Sequence, residues 1–178
     1  MAYYHGPEAT GVWGACWGVV SLANPLILGV QNFLGPRIVR AYAEFGISGL
    51  KFRVKWDSVL FCMLVLPFVA LFLSVGGELT VMFYGQKYFG YSKVVQILAL
   101  NLVMMAVCYP FSYGLLAMER VRTYFMANIV SLIITMSCGI FLVRAYGPLG
   151  VAFGLMLGVS ITAAIIIYCF FRSSRMAS

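Results

Sequence analysis

Residues able to carry chemistry are few in this chain, and they are far apart. There is one histidine, His5, and there are five carboxylates, Glu8, Glu44, Asp57, Glu78 and Glu119. Acid–base or nucleophilic catalysis needs two or three such groups held within hydrogen-bond reach of one another. No metalloprotease, nucleophile-elbow, phosphate-loop or dinucleotide pattern brings them together. The five cysteines, Cys16, Cys62, Cys108, Cys138 and Cys169, fall singly inside apolar runs with no CxxC spacing. They read as small packing residues rather than as a disulfide framework or a zinc site. The expectation is a protein that is not an enzyme, with no catalytic residues, no metal and no cofactor.

Neutral polar groups are the more informative set. Asn24, Gln31, Asn101 and Asn128 sit inside otherwise apolar stretches. Carboxamides there either line an aqueous cavity or hydrogen-bond one helix to the next. Arg37 and Arg40 follow the first apolar stretch, where a guanidinium could meet a substrate phosphate or simply mark the inner membrane surface. Pro25, Pro67 and Pro110 could be hinges or plain kinks. Gly150, Gly154 and Gly158 repeat every four residues, which puts them on one helix face where a neighbouring backbone can approach closely.

The elements that must hold these residues follow from composition. Of 178 residues, 63% are hydrophobic and 10% charged, and the mean hydropathy is +0.98. A water-soluble surface cannot be covered with so little charge. The charges bracket neutral runs at 9–36, 58–77, 94–118, 123–143 and 145–171. A helix needs about 20 apolar residues to cross hydrocarbon. Runs such as Leu60–Phe72 are apolar on every side, so the two-residue alternation of a barrel strand is absent. The fold class expected is an all-α integral membrane protein forming one membrane domain, with about five spans at 11–34, 58–77, 94–118, 123–143 and 149–171. Residues 37–56, with Ile38, Tyr42 and Phe45 at helical spacing, read as a short amphipathic segment lying on the inner surface.

Basic residues give the orientation. Arg37, Arg40, Lys51, Arg53, Lys55, Arg120, Arg122, Arg172 and Arg175 fall on one side of such a topology, and Lys87, Lys93 and Arg144 on the other. Lysine and arginine collect on the cytoplasmic side. The N-terminus is therefore expected outside and the C-terminus in the cytoplasm. The first residues lack a basic region, so the first span reads as retained rather than cleaved. The net charge of +7 fits anionic headgroups as partners better than nucleic acid, because it is divided among short loops.

The order of motifs resembles polysaccharide-lipid flippases of the multidrug/oligosaccharidyl-lipid/polysaccharide exporter superfamily. The residues that carry the resemblance are Gly6-Pro7-Glu8-Ala9-Thr10-Gly11-Val12-Trp13, Pro36-Arg37, Phe83-Tyr84-Gly85-Gln86-Lys87-Tyr88, the start of a span at Val94 to Leu100, Met118-Glu119-Arg120-Val121-Arg122, and Leu142 through Ala152. Arg144 departs from the pattern, which has a small residue or proline there. The resemblance implies a two-lobed fold of about a dozen spans around a cavity that opens alternately to each side. It implies that this chain supplies the last five helices of the C-terminal lobe, as a fragment, a truncated product or half of a split transporter. It implies export of a lipid-linked oligosaccharide across a bacterial cytoplasmic membrane. Arg37 and Arg40 would attract the phosphate at the inner mouth, while the missing lobe or a polysaccharide assembly complex would be the partner. A multidrug/cation antiporter of the same superfamily and a non-transporting membrane scaffold are the competing readings.

Overall fold

The computed structural model describes residues 2–176, and among them every regular element is helical. The helices are α1 (Ala2–Val20), α2 (Asn24–Tyr84), α3 (Ser92–Ala117), α4 (Val121–Tyr146) and α5 (Pro148–Met176). Four helical stretches are long and apolar enough to cross a membrane: Tyr3–Tyr84, Ser92–Ala117, Val121–Tyr146 and Pro148–Arg175. Side chains such as Leu132, Ile133, Met136, Ile140 and Phe141 on α4 are each more than half exposed. That surface suits hydrocarbon, where exposing them carries no penalty, and not water.

The first stretch is not one rod. Its 82 residues would span about 120 Å if straight, yet Gly18 sits against the ring of Tyr84 and a methyl at Gly11 would lie 3.8 Å from the Tyr88 hydroxyl. The chain therefore doubles back. It does so at Gly46, whose φ of 61° and ψ of −149° no other residue type adopts cheaply. A second interruption lies at Ser21–Ala23, a single 3-10 turn. Pro25 has no N–H to give the Ser21 carbonyl, and the Asn24 N–H bonds that carbonyl instead. Gly6, at φ 77°, bends α1 just before Pro7.

These bends redraw two of the expected boundaries. Residues 37–56 do not form a helix of their own: 37–45 continue the first limb of α2 through Pro36, and 47–56 begin the second limb. Proline removes one hydrogen bond but leaves the helix running in apolar surroundings. The left-handed backbone of Gly46 is what stops it. The second limb likewise continues past Gly76-Gly77 as far as Tyr84, where Gly85, at φ 97°, ends it.

Helix α3 is the centre, packed along the second limb of α2 and along α5. Its register with α2 is antiparallel: Gly77 meets Ser92, Gly76 meets Val95, the Gln96 side-chain Nε2 donates to the Leu73 carbonyl at 3.2 Å, and Gly114 meets Val54. At the Gly46 end, Gly114 also admits Phe170, which lies 5.3 Å from Phe111 edge to face. Leu50, Val54, Leu115 and Phe170 are fully buried there.

The α4–α5 hairpin is built on the glycine stripe. Gly150 abuts the Leu142 carbonyl, a methyl at Gly154 would lie 3.6 Å from the Gly139 Cα, and Gly158 abuts Thr135. The Ser131 hydroxyl donates to the Gly158 carbonyl at 2.8 Å. A methyl at Gly150 meets backbone, which cannot rotate away, whereas a methyl at Gly154 makes an ordinary contact. Gly150→Ala should therefore cost about 1–3 kcal/mol, and Gly154→Ala no more than about 0.5 kcal/mol. Thermal unfolding of the two variants in one detergent would check the ranking; equal loss in both would contradict this packing.

Candidate functional site

Helical geometry decides which of the polar residues meet. Asn24 and Gln31 are seven residues apart, close to two full turns, and share a face. Asn101 and Tyr109 are eight apart on α3 and share another. The two faces oppose each other. Together with Trp17 and Ser21 they border a cavity of about 250 Å³ between the first limb of the chain and α3. Of the four neutral polar candidates from the sequence, Asn24, Gln31 and Asn101 are therefore brought to one place, and Asn128 lies elsewhere. The 3-10 turn at Ser21–Ala23 lies on its wall and sets where Asn24 points.

A second cavity, of about 230 Å³, continues along α3 between α4 and α5, and it shares Met105 and Tyr109 with the first. Its polar wall is Ser112, Tyr124, Asn128 and Thr162. These groups are largely satisfied within their own helices. Ser112 Oγ donates to the Cys108 carbonyl at 3.0 Å, Asn128 Nδ2 to the Tyr124 carbonyl at 2.8 Å, and Thr162 Oγ1 to the Gly158 carbonyl at 2.9 Å. Asn101 differs. It is 4% exposed, and its Oδ1 is buried with no hydrogen-bond partner among the described residues. A buried amide oxygen left without a partner costs free energy.

Arg37 and Arg40 also come together, but elsewhere. They border a cleft of about 640 Å³ at the Gly46 bend, with Glu44, Ser48, Phe52 and Arg53. Arg37 lies 13 residues beyond Asn24, which is about 220° around the helix, and the cleft shares no lining residue with the carboxamide cavity. The arginines thus face the other side of the first limb. The Arg37 guanidinium sits 4.4 Å over the Phe33 ring. Arg53, one of the basic residues that the sequence places on the inner side, joins them; its Nε donates to Asp57 Oδ2 at 3.1 Å, an i,i+4 pair visible in the spacing. Asp57 is fully buried.

The opposite end of the bundle carries a third cleft, of about 510 Å³, bordered by Ser74, Glu78, Gln86, Ser92 and Gln96. Two contacts fasten the N-terminal segment there. His5 Nε2 donates to the Val143 carbonyl at 2.7 Å, and Lys87 Nζ donates to Glu8 Oε1 at 2.9 Å. No three His, Cys, Asp or Glu side chains among the described residues cluster as metal ligands would. Comparison of the chain with protein families, with curated proteins and with solved structures gives no match.

Two predictions follow from these environments. Asn101→Leu should raise stability by about 1–3 kcal/mol, because an apolar side chain of similar size removes the unpaired amide; a drop in the unfolding temperature would show that the amide is satisfied. The second concerns the exposed clasp. The hydrogen bond from Lys87, and then its charge, hold the Glu8 carboxyl below its ordinary range. The same bond from Glu8 holds the Lys87 ammonium above its own ordinary range. A lowered carboxylate pKa means the bridge contributes at neutral pH and fades as pH falls through that lowered value. Carboxyl NMR titration should show Glu8 titrating lower in the wild type than in Lys87→Gln, with the gap shrinking in salt.

Proposed function

We propose that the chain forms one wall of a transport route that moves a lipid-linked oligosaccharide from the inner to the outer leaflet of a bacterial cytoplasmic membrane. In this reading each of the five helical limbs, 7–45, 47–84, α3, α4 and α5, holds one crossing, the first of them at 11–34 and so beyond Glu8, with the N-terminus outside and the C-terminus inside. The nine basic residues near the Gly46 end favour that orientation.

The observation that carries the reading is the convergence of Asn24, Gln31 and Asn101 on one cavity, with Asn101 unpaired. The sugars of such a headgroup are hydroxyl-rich and costly to place in hydrocarbon, apart from the phosphate that joins them to the lipid. Carboxamides both donate and accept, so they can exchange bonds with hydroxyls as the headgroup passes. Trp17 and Tyr109 offer flat apolar faces with polar edges beside them. The cavity is lined by no charged residue, which suits the sugar part of the passenger and offers no carboxylate to a drug cation. The groove along α3 is open on one side, and a second lobe would close it, consistent with alternating access around a site near mid-membrane.

The test is leaflet-to-leaflet transfer of a fluorescent lipid-linked oligosaccharide in proteoliposomes or in cells, with insertion measured in parallel. Asn24→Leu, Gln31→Leu and Asn101→Leu combined should reduce transfer by at least about tenfold, the equivalent of roughly one good hydrogen bond, while insertion is kept. Undiminished transfer by the inserted triple variant would remove the groove from the route.

A further inference from the structure

The arginine cleft at the Gly46 bend has no part in the groove, and its construction asks for a ligand of its own. We propose that it is a binding site for the phosphate of an anionic phospholipid of the inner leaflet, with Arg53 as its fixed cation. This inference does not depend on what the groove transports.

Three guanidinium groups border the cleft: Arg37 and Arg40 from the first limb of α2, and Arg53 from the second. A planar guanidinium presents paired donors that match two phosphate oxygens. Ser48 adds a hydroxyl that is otherwise engaged with the Phe45 carbonyl at 3.1 Å. Arg53 is held in place before any ligand arrives. Its Nε is bound to Asp57, a carboxylate with no exposure, so little side-chain freedom remains to be lost on binding. Its Nη2 and the neighbouring Asp57 Oδ1 are both buried without a hydrogen-bond partner among the described residues, so the pair holds Arg53 through the Nε bond alone. The two acidic groups present do not cancel the site: Asp57 is committed to Arg53, and Glu44 is exposed one turn beyond Arg40.

A membrane lipid is favoured over a free anion by what surrounds the arginines. Phe45 and Phe52 border the same cleft and are 66% and 70% exposed. Rings that open are suited to acyl chains and glycerol, not to water. The cleft also lies at the end of the bundle that carries Lys51, Lys55, Arg172 and Arg175, where headgroups of the anionic leaflet would lie. Basic clefts between helices on the cytoplasmic side are built for such headgroups.

The test uses the full chain in nanodiscs of phosphatidylcholine containing phosphatidylglycerol, with native mass spectrometry of the lipid retained after release. Wild type should retain phosphatidylglycerol preferentially. Arg37→Gln with Arg40→Gln, and Arg53→Met with Asp57→Leu, should each lower that preference roughly tenfold, the effect expected of losing a charge-assisted hydrogen bond. The second pair removes both partners, so no charge is stranded in the interior. Arg40→Gln alone, at an exposed position, gives a variant whose folding is not at risk and should lower the preference in part. Asn24→Leu with Asn101→Leu, on the other side of the limb, should leave it unchanged. The proposal fails if wild type retains both lipids equally, if folded Arg variants keep the preference, or if millimolar inorganic phosphate displaces the lipid as a simple competitor.

Discussion

Apolar side chains on nearly every face leave the backbone of this chain little choice but to satisfy its own hydrogen bonds within each segment. In hydrocarbon that requirement is stringent, and helix is the answer available to a single strand of chain. The fold is shaped by the places where the rule is relaxed. Gly6, Gly46, Gly85, Gly90 and Gly147 take positive φ, a region closed to most side chains. Between them the helices run through Pro36, Pro67 and Pro110 without ending. Each proline leaves a carbonyl one turn earlier without its usual donor, but none supplies the backbone reversal that a glycine does.

Once the reversals are set, close approach decides the rest. Helix α3 can lie at the centre because glycines on α2 and on α3 itself remove the bulk between neighbouring helices. Gly76 and Gly77 admit Val95 and Ser92, and Gly114 admits Val54 and Phe170. The α4–α5 pair repeats the device with Gly150, Gly154 and Gly158. Association of apolar helices in an apolar solvent gains little from excluding water, so dispersion contacts and interhelical bonds such as Ser131 to Gly158 carry it. The result places one face of α3, with Asn101 and Tyr109, opposite the interrupted turn before Asn24.

The first limb of α2 then separates two chemistries that the sequence places within 17 residues. On one side are neutral carboxamides and aromatic rings; on the other are Arg37 and Arg40 beside Arg53. The separation follows from 3.6 residues per turn. A neutral cavity and a cationic cleft on one helix do not compete for the same ligand. The Arg53–Asp57 pair lies within the second limb, where the fully buried carboxylate carries a desolvation cost and holds Arg53 beside the other two arginines.

Much of this was legible before any coordinates. Charge-free runs longer than a bilayer is thick specify helices, and the spacing of Gly150, Gly154 and Gly158 specifies a close-packed face. The neutral polar residues were visible as candidates for the same physical reason, since a carboxamide is costly where everything around it is apolar. Their meeting was not. Asn24 and Asn101 are 77 residues apart, and only the antiparallel register of the hairpins sets them face to face. Nor did the sequence decide between Pro36 and Gly46 as the point of reversal: proline announces itself in composition, whereas a glycine's left-handed turn is chosen by what packs on either side. The phase of Arg37 relative to Asn24 follows from spacing alone, but which side of the limb meets α3, and that Arg53 reaches the arginine side, depended on the folded hairpin. Local chemistry is written residue by residue along the chain; proximity between distant segments is settled only when their surfaces compete to pack.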